Sequence, residues 1–181
     1  ANKFKLKVLE DAAESLGSFY NNKHAGTFGH AGILSFNANK VITTGGGGMI
    51  LTNNSSTAKK ARHLITTAKL NHPWKFIHNE VGWNYRMPNI NAALGCAQIE
   101  KINTILKYKK NITKKYQKAF KSNNKITFFN QPNGCSSNYW LNVIRIKFKK
   151  ISERDKLLNF LNKKNFQCRP VWNLLHKLPM F

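Results

Sequence analysis

An α/β fold is what this chain of 181 residues predicts, on three observations. Apolar runs of strand length stand at 4–9, 31–36 and 48–52; longer segments at 56–66 and 89–106 carry apolar residues at helical spacing; and a glycine run separates the second strand from the third. The first run ends at Val8-Leu9, and Glu10-Asp11 stand where the strand gives way to a helix over 12–16, which an acidic Asp11 suits as a cap. The second run passes through Phe36 into Asn37-Ala38-Asn39-Lys40, and glycines at 45–48 lead back into the third. Ser55 or Ser56 caps the helix over 56–66.

Pro88 starts the next helix, in which Ile90, Ala93, Leu94, Ala97, Ile99, Ile102 and Leu106 form one apolar stripe. It continues, basic and amphipathic, through Ile112, Tyr116 and Phe120. Segments 126–129 and 139–148 read as strands joined by a Pro-, Gly-, Ser- and Asn-rich loop over 130–138. Ser152 caps a helix with Leu157, Leu158, Phe160 and Leu161 on its inner side, and 168–172 returns as a strand. Tyr139 and Trp140 read as core, the lysine-rich runs as solvated helix faces, and no internal repeat is evident.

Lys40 is the residue whose surroundings point to chemistry. A lysine held between buried strands by a tightly turning backbone is a candidate nucleophilic amine, because desolvation favours the neutral form with its free lone pair. A lysine in a solvated hairpin is the alternative. Asp11, at the carboxyl end of a strand, suits a partner for a protonated pyridine nitrogen or a plain helix cap.

The segments EDAAESLGSFYNNKHAGTFGHAGILSFNANKVITTGGGGMI (10–50) and EVGWNYRMPNINAALGCAQIEKI (80–102) resemble, in order and spacing, the DegT/DnrJ/EryC1/StrS sugar aminotransferases. The resemblance implies the type I fold of aspartate aminotransferase with pyridoxal 5'-phosphate as cofactor. On that basis 1–105 is the C-terminal part of a large, mostly parallel-sheet domain and 106–181 part of a small α+β domain, the long helix passing from one to the other. Lys40 corresponds to the Schiff-base lysine, Asp11 to the carboxylate that holds the ring proton, and Ser35 to a hydroxyl on the cofactor phosphate. Asn84 matches an asparagine that reaches the phosphate from the neighbouring subunit, which implies a homodimer with shared sites. Glu14 stands at a cofactor-flanking position where many members carry Gln or His; His30 and Gly46 depart from the commoner Asp and Glu.

The TTGGGGMI form resembles the subset acting on nucleotide-linked 4-keto-6-deoxy sugars for surface polysaccharide or nonulosonic acids, with glutamate as amino donor. The aromatic loop around His72 and Trp74 is a candidate substrate wall, with ordinary packing of Trp74, Phe76 and Trp83 as the alternative. Arg169 is a candidate for the donor carboxylate or sugar phosphates, where a guanidinium fork is favoured. Members of the family are longer than this chain, so the resemblance also implies a fragment, one predicted to be poorly soluble by itself. The retained Lys40 disfavours the related dehydratases, which carry a histidine there; a non-catalytic partner subunit or degenerate fragment is the other reading.

A net charge of +23 invites nucleic acid as a partner. The charge is overwhelmingly lysine, with only five arginines, whereas phosphate and base readers favour the arginine fork. Abundant Lys, Asn, Ile and Phe share A/T-rich codons, so genomic drift accounts for the basicity and nucleic acid is not the expected partner. Cys96, Cys135 and Cys168 are far apart and odd in number, which argues against a disulfide framework and a zinc site and fits a cytoplasmic setting. No apolar run approaches the roughly 18 residues of a membrane span.

Overall fold

The computed structural model describes residues 1–148 and 150–181. In chain order its strands are β1 (Leu9–Asp11), β2 (Phe19–Tyr20), β3 (Lys23–His24), β4 (Ala31–Ser35), β5 (Gly48–Leu51), β6 (Ile126–Phe128), β7 (Cys135–Ser136) and β8 (Ile144–Ile146). The helices are α1 (Ser55–Ile65), α2 (Asn89–Ile99), α3 (Ile102–Phe120) and α4 (Ile151–Lys163). Ala1–Lys114 and Gln131–Trp140 form one unit; Lys115–Asn130 and Leu141–Phe181 form another.

In the first unit β4 is the centre of a sheet ordered β1-β4-β5. Its run Ala-Gly-Ile-Leu-Ser is paired along both edges, by β1 in parallel and β5 antiparallel. Leu34 and Phe36 join Ala12, Val41 and Ile42 in the core, against which Leu51, Met87, Ile102, Ile105 and Leu106 pack. The opposite sheet face is open: Ile33 and its cross-strand partner Ile50 are 46% and 49% exposed. A second small sheet, β3-β2-β7, brings residues 135–136 beside the chain at 19–20.

Several expected elements are corrected. Residues 4–9 are not a buried strand: β1 begins only at Leu9, and Leu6 is 62% exposed. The third strand, β5, is an exposed edge rather than a buried strand. No helix forms over 12–16. Two successive turns stand there instead, Ser15 N donating to Ala12 O at 2.9 Å and Ser18 N to Ser15 O at 2.8 Å. Asn138 Nδ2 secures these turns by donating to the Glu14 and Leu16 carbonyls at 2.8 and 2.9 Å. Gly17, at φ 80°, then turns the chain where a Cβ would meet Leu106 Cδ1 at 2.7 Å.

The cap of α1 is Asn54, whose side chain accepts from Thr57 N at 2.8 Å, not Ser55 or Ser56. The expected helix over 89–106 is interrupted at Glu100-Lys101. Residues 139–148 yield only the short β8, because Tyr139 adopts φ 46° and the side chains of Ser137 and Asn138 take the N–H groups of Tyr139 and Trp140 at 3.0 and 2.9 Å.

The second unit pairs β6 with β8, antiparallel, and places Phe128 in its interior with Tyr116 stacked on it at 6.5 Å. Ser152 lies inside α4 and Lys150 occupies the cap position. Residues 168–172 form no strand; Asn162 Nδ2 instead binds the Cys168 carbonyl at 3.0 Å.

Candidate functional site

The parallel strands β1 and β4 end at Asp11 and Ser35, with Ser35 two residues beyond the partner of Asp11. The register pairs Asp11 with Ile33, so Asp11 and Ser35 project from the same sheet face, one strand apart, at the carboxyl ends where open α/β sheets hold ligands. Asp11 Oδ1 accepts from Ala13 N at 3.2 Å, leaving Oδ2 without a protein partner among the described residues. Among the described residues Ser35 Oγ accepts only a long 3.4 Å contact, from Asn37 N.

Beyond Ser35 the chain loops out and back before β5. The loop is closed at its base by Phe36, whose N donates to Gly47 O at 2.9 Å and whose carbonyl accepts from Thr44 N at 3.0 Å. Gly45 and Gly47, at φ 80° and 99°, make the return turn, a conformation that costs other residues strain. Helix α2 fixes the far limb: Gln98 Oε1 accepts from Thr43 N at 2.9 Å and Asn91 Nδ2 donates to the Thr44 carbonyl at 2.5 Å. A Cβ on Gly95 would meet Thr44 Cγ2 at 2.9 Å, so α2 needs glycine there to approach this closely.

Lys40 is carried on that loop and turned inward; its side chain is 14% exposed. Its Nζ donates to Glu14 Oε1 at 3.2 Å and stands 4.3 Å from the ring centre of Trp140. Glu14, Leu16, Ser35, Lys40, Val41 and Trp140 line one shallow cleft. The structure thus brings together Lys40, Glu14 and Ser35 and sets Asp11 on the adjoining strand. Trp140 packs against the core as expected, yet also forms a wall of the cleft. Its indole Nε1 donates to the Asn39 carbonyl at 2.5 Å, tying it to the residue before the lysine.

The other predicted residues lie outside that cleft. Asn84 is exposed and bridges to Thr66 at the end of α1. His72 receives Trp74 N and Lys75 N on its Nδ1 at 3.3 and 3.1 Å, with Trp74 edge-on at 4.9 Å and 75% exposed. Arg169 belongs to the second unit, where its guanidinium stacks on Trp172 at 4.5 Å. Asn91, Gln98 and Asn138 are positioning residues that sequence reasoning missed, since each acts on a backbone group remote in the chain. A Gln and an Asn spaced seven apart on one helix face were the available signal for the first two.

A carboxylate and a hydroxyl on one sheet face, an inward lysine amine and an indole face fit a planar, phosphorylated aromatic aldehyde. Asp11 suits a protonated ring nitrogen, Ser35 a phosphate oxygen, and Lys40 a carbonyl carbon.

Comparison with known proteins bears on the same point. EpsN of Bacillus subtilis (strain 168) is 38% identical over 97% of this chain and 45% of its own length. GDP-perosamine synthase of Escherichia coli O157:H7 is 35% identical over 97% of this chain and 47% of its own. The chain therefore spans about half the length of the curated relatives it matches. Among solved structures, Helicobacter pylori PseC, an aminotransferase involved in the biosynthesis of pseudoaminic acid, superposes with a TM-score of 0.92 at 26% identity, over 99% of this chain and 48% of that one. The fold is accordingly that of part of a sugar aminotransferase, as the sequence predicted. No helix among the described residues is long and apolar enough to cross a membrane. With residues 1–181 all matching its pattern, the chain belongs to the DegT/DnrJ/EryC1/StrS aminotransferase family.

Proposed function

We propose that this chain carries the lysine-bearing part of a pyridoxal-phosphate-dependent transaminase that aminates a nucleotide-linked 4-keto-6-deoxy sugar, with glutamate as donor. The observation that carries the reading is the inward Lys40 beside Ser35 at the end of β4, with Asp11 on the same sheet face. The names of the relatives support the substrate class: one makes GDP-perosamine and another serves pseudoaminic acid synthesis. The division at residue 105 into large-domain and small-domain parts belongs to this reading, as does a cytoplasmic setting, which suits the free thiols of Cys96, Cys135 and Cys168.

Pyridoxal phosphate supplies a carbonyl carbon that carries the amino group and a ring that takes up electrons from the bond broken at the substrate carbon. Asp11 would hold the proton on the ring nitrogen and Ser35 would donate to the phosphate. Lys40 Nζ would tether the cofactor at rest and, once displaced by the donor amine, would carry the proton from the donor's amine-bearing carbon to the cofactor, and in the second half-reaction from the cofactor to the sugar carbon that receives the amine. Asn84, exposed and outside its own chain's cleft, serves the site of a second copy, so the working form is a homodimer. Arg169 and the His72-Trp74 loop meet donor or sugar.

Visible absorption of the full-length protein with pyridoxal phosphate, before and after glutamate, tests this beside Lys40→Ala. The expected result is a band that glutamate bleaches and that resists dialysis only in the wild type. A folded protein with no band would overturn the reading in favour of a non-catalytic partner subunit.

A further inference from the structure

We propose that Glu14 and Trp140 form a berth for the Lys40 amine whenever it is not bonded to the cofactor, and that Asn138 is the positioning residue that sets the berth's width. This rests on Lys40 being the cofactor-binding lysine. A lysine side chain has four freely rotating bonds, and a released amine at the end of it would sample many positions, at a cost in order each time it must return. Here it is held from two sides: the carboxylate oxygen of Glu14 at 3.2 Å and the indole face of Trp140 at 4.3 Å.

Neither wall is left to find its own place. Asn138, 4% exposed, donates from Nδ2 to the Glu14 and Leu16 carbonyls at 2.8 and 2.9 Å and accepts Trp140 N on Oδ1 at 2.9 Å. One amide side chain thus joins the segment bearing the carboxylate to the residue bearing the ring. Trp140 is fixed further by its Nε1 on the Asn39 carbonyl and by Lys109 Nζ on its own carbonyl at 3.3 Å. Lys40 and Glu14 are the only charged groups among the described residues that line the cleft; Lys109 reaches the backbone of Trp140 and does not line it. An ordinary exposed ion pair contributes little and would need no such framing.

The test is acetylation of the cofactor-free, full-length protein by acetic anhydride at fixed pH, read by peptide mass spectrometry at Lys40, with exposed Lys59 as internal control. Glu14→Gln is expected to raise Lys40 labelling about three- to fivefold over Lys59, the scale of a screened ion pair. Wild-type Lys40 labelling rises with added salt, while in Glu14→Gln it does not. Trp140→Leu raises labelling less, and Asn138→Ala raises it with Glu14 intact. Labelling of Glu14→Gln at the wild-type rate, or an unchanged salt dependence in it, would overturn the berth. The salt series on the wild type alone reads the same pairing if a variant fails to fold. Visible absorption with pyridoxal phosphate separates the two ideas: no band removes the function reading and the berth with it, whereas a normal band with unaltered labelling removes the berth alone.

Discussion

Two loops of the first unit carry polar and aromatic residues that the sequence marks as functional, and they are built in opposite ways. The loop around Lys40 is tied from α2 by Asn91 and Gln98 and, across about a hundred residues, by Trp140. The loop between α1 and α2 is held mainly by its own backbone: Leu70 N donates to Ile77 O at 2.8 Å and Asn79 N to Ala68 O at 3.3 Å, while Trp74, Phe76 and Val81 are at least 75% exposed. The first loop is thus fixed by distant parts of its own chain. The second presents side chains outward, which suits residues that complete a site elsewhere. Substitutions in the first should therefore disturb local geometry, and those in the second should disturb recognition.

The largest expected effect is that of Lys40→Ala. Loss of the amine that tethers the cofactor and moves the proton should lower turnover by about a thousandfold, within the range for removing a positioned acid–base group. Thermal unfolding should change little, because Glu14 is half exposed and water replaces the ammonium. A substantial residual rate would place the chemistry elsewhere.

Asn138→Ala is next. It leaves the Glu14 and Leu16 carbonyls and Trp140 N without their side-chain partner in a 4%-exposed position, at a cost of about 1–3 kcal/mol. Denaturant unfolding of the full-length protein should show it as a lower midpoint. An unchanged midpoint would mean that residues 12–18 hold their turns without it.

That asparagine also shows where the sequence was legible. Local signals carried β4, the return turn at Gly45 and Gly47, and α1 to within a residue, since each depends on its own neighbourhood. The resemblance marked Lys40, Glu14 and Ser35, which do share a cleft. The turns that stand in place of the helix expected over 12–16 are held by Asn138, far along the chain, which binds the Glu14 and Leu16 carbonyls. Trp140 read as core because an aromatic before an apolar run usually is. Its second role appears only when Tyr139, at φ 46°, turns the chain back on itself. The buried strand expected over 48–52 became an exposed edge because composition does not say what covers a sheet.

A smaller, pH-dependent effect is expected at Glu10, which braces the turn before β4 by accepting Gly26 N at 2.8 Å and Gly29 N at 2.5 Å. Burial works against its charge, but the N–H groups of Gly29, Gly26 and Phe28 and the charge of Lys23 together hold it below its ordinary value of 4.5. Because the folded form binds its proton less readily than the unfolded one, the stabilisation is fully present above pH 4.5 and is lost as pH falls through the lower folded value. Glu10→Gln should therefore cost about 1 kcal/mol at pH 7, allowing for solvent screening, and converge with the wild type in acid. Urea midpoints at pH 7 and in acid measure the difference. A gap that persists unchanged in acid would assign the effect to shape rather than charge.

Trp74→Ala should have the smallest effect on stability and is the sharpest probe of the contrast between the loops. The indole is 75% exposed and packs edge-on against the His72 ring, so truncation removes little buried surface and unfolding should shift by no more than about 0.5 kcal/mol. If the loop meets the sugar nucleotide in a second copy's site, the same change raises KM for the sugar several-fold and leaves the glutamate half-reaction unaltered. If the indole only packs, neither half-reaction changes. A fall in kcat for both halves would instead tie this loop to Lys40, and the two loops would no longer be separable in function.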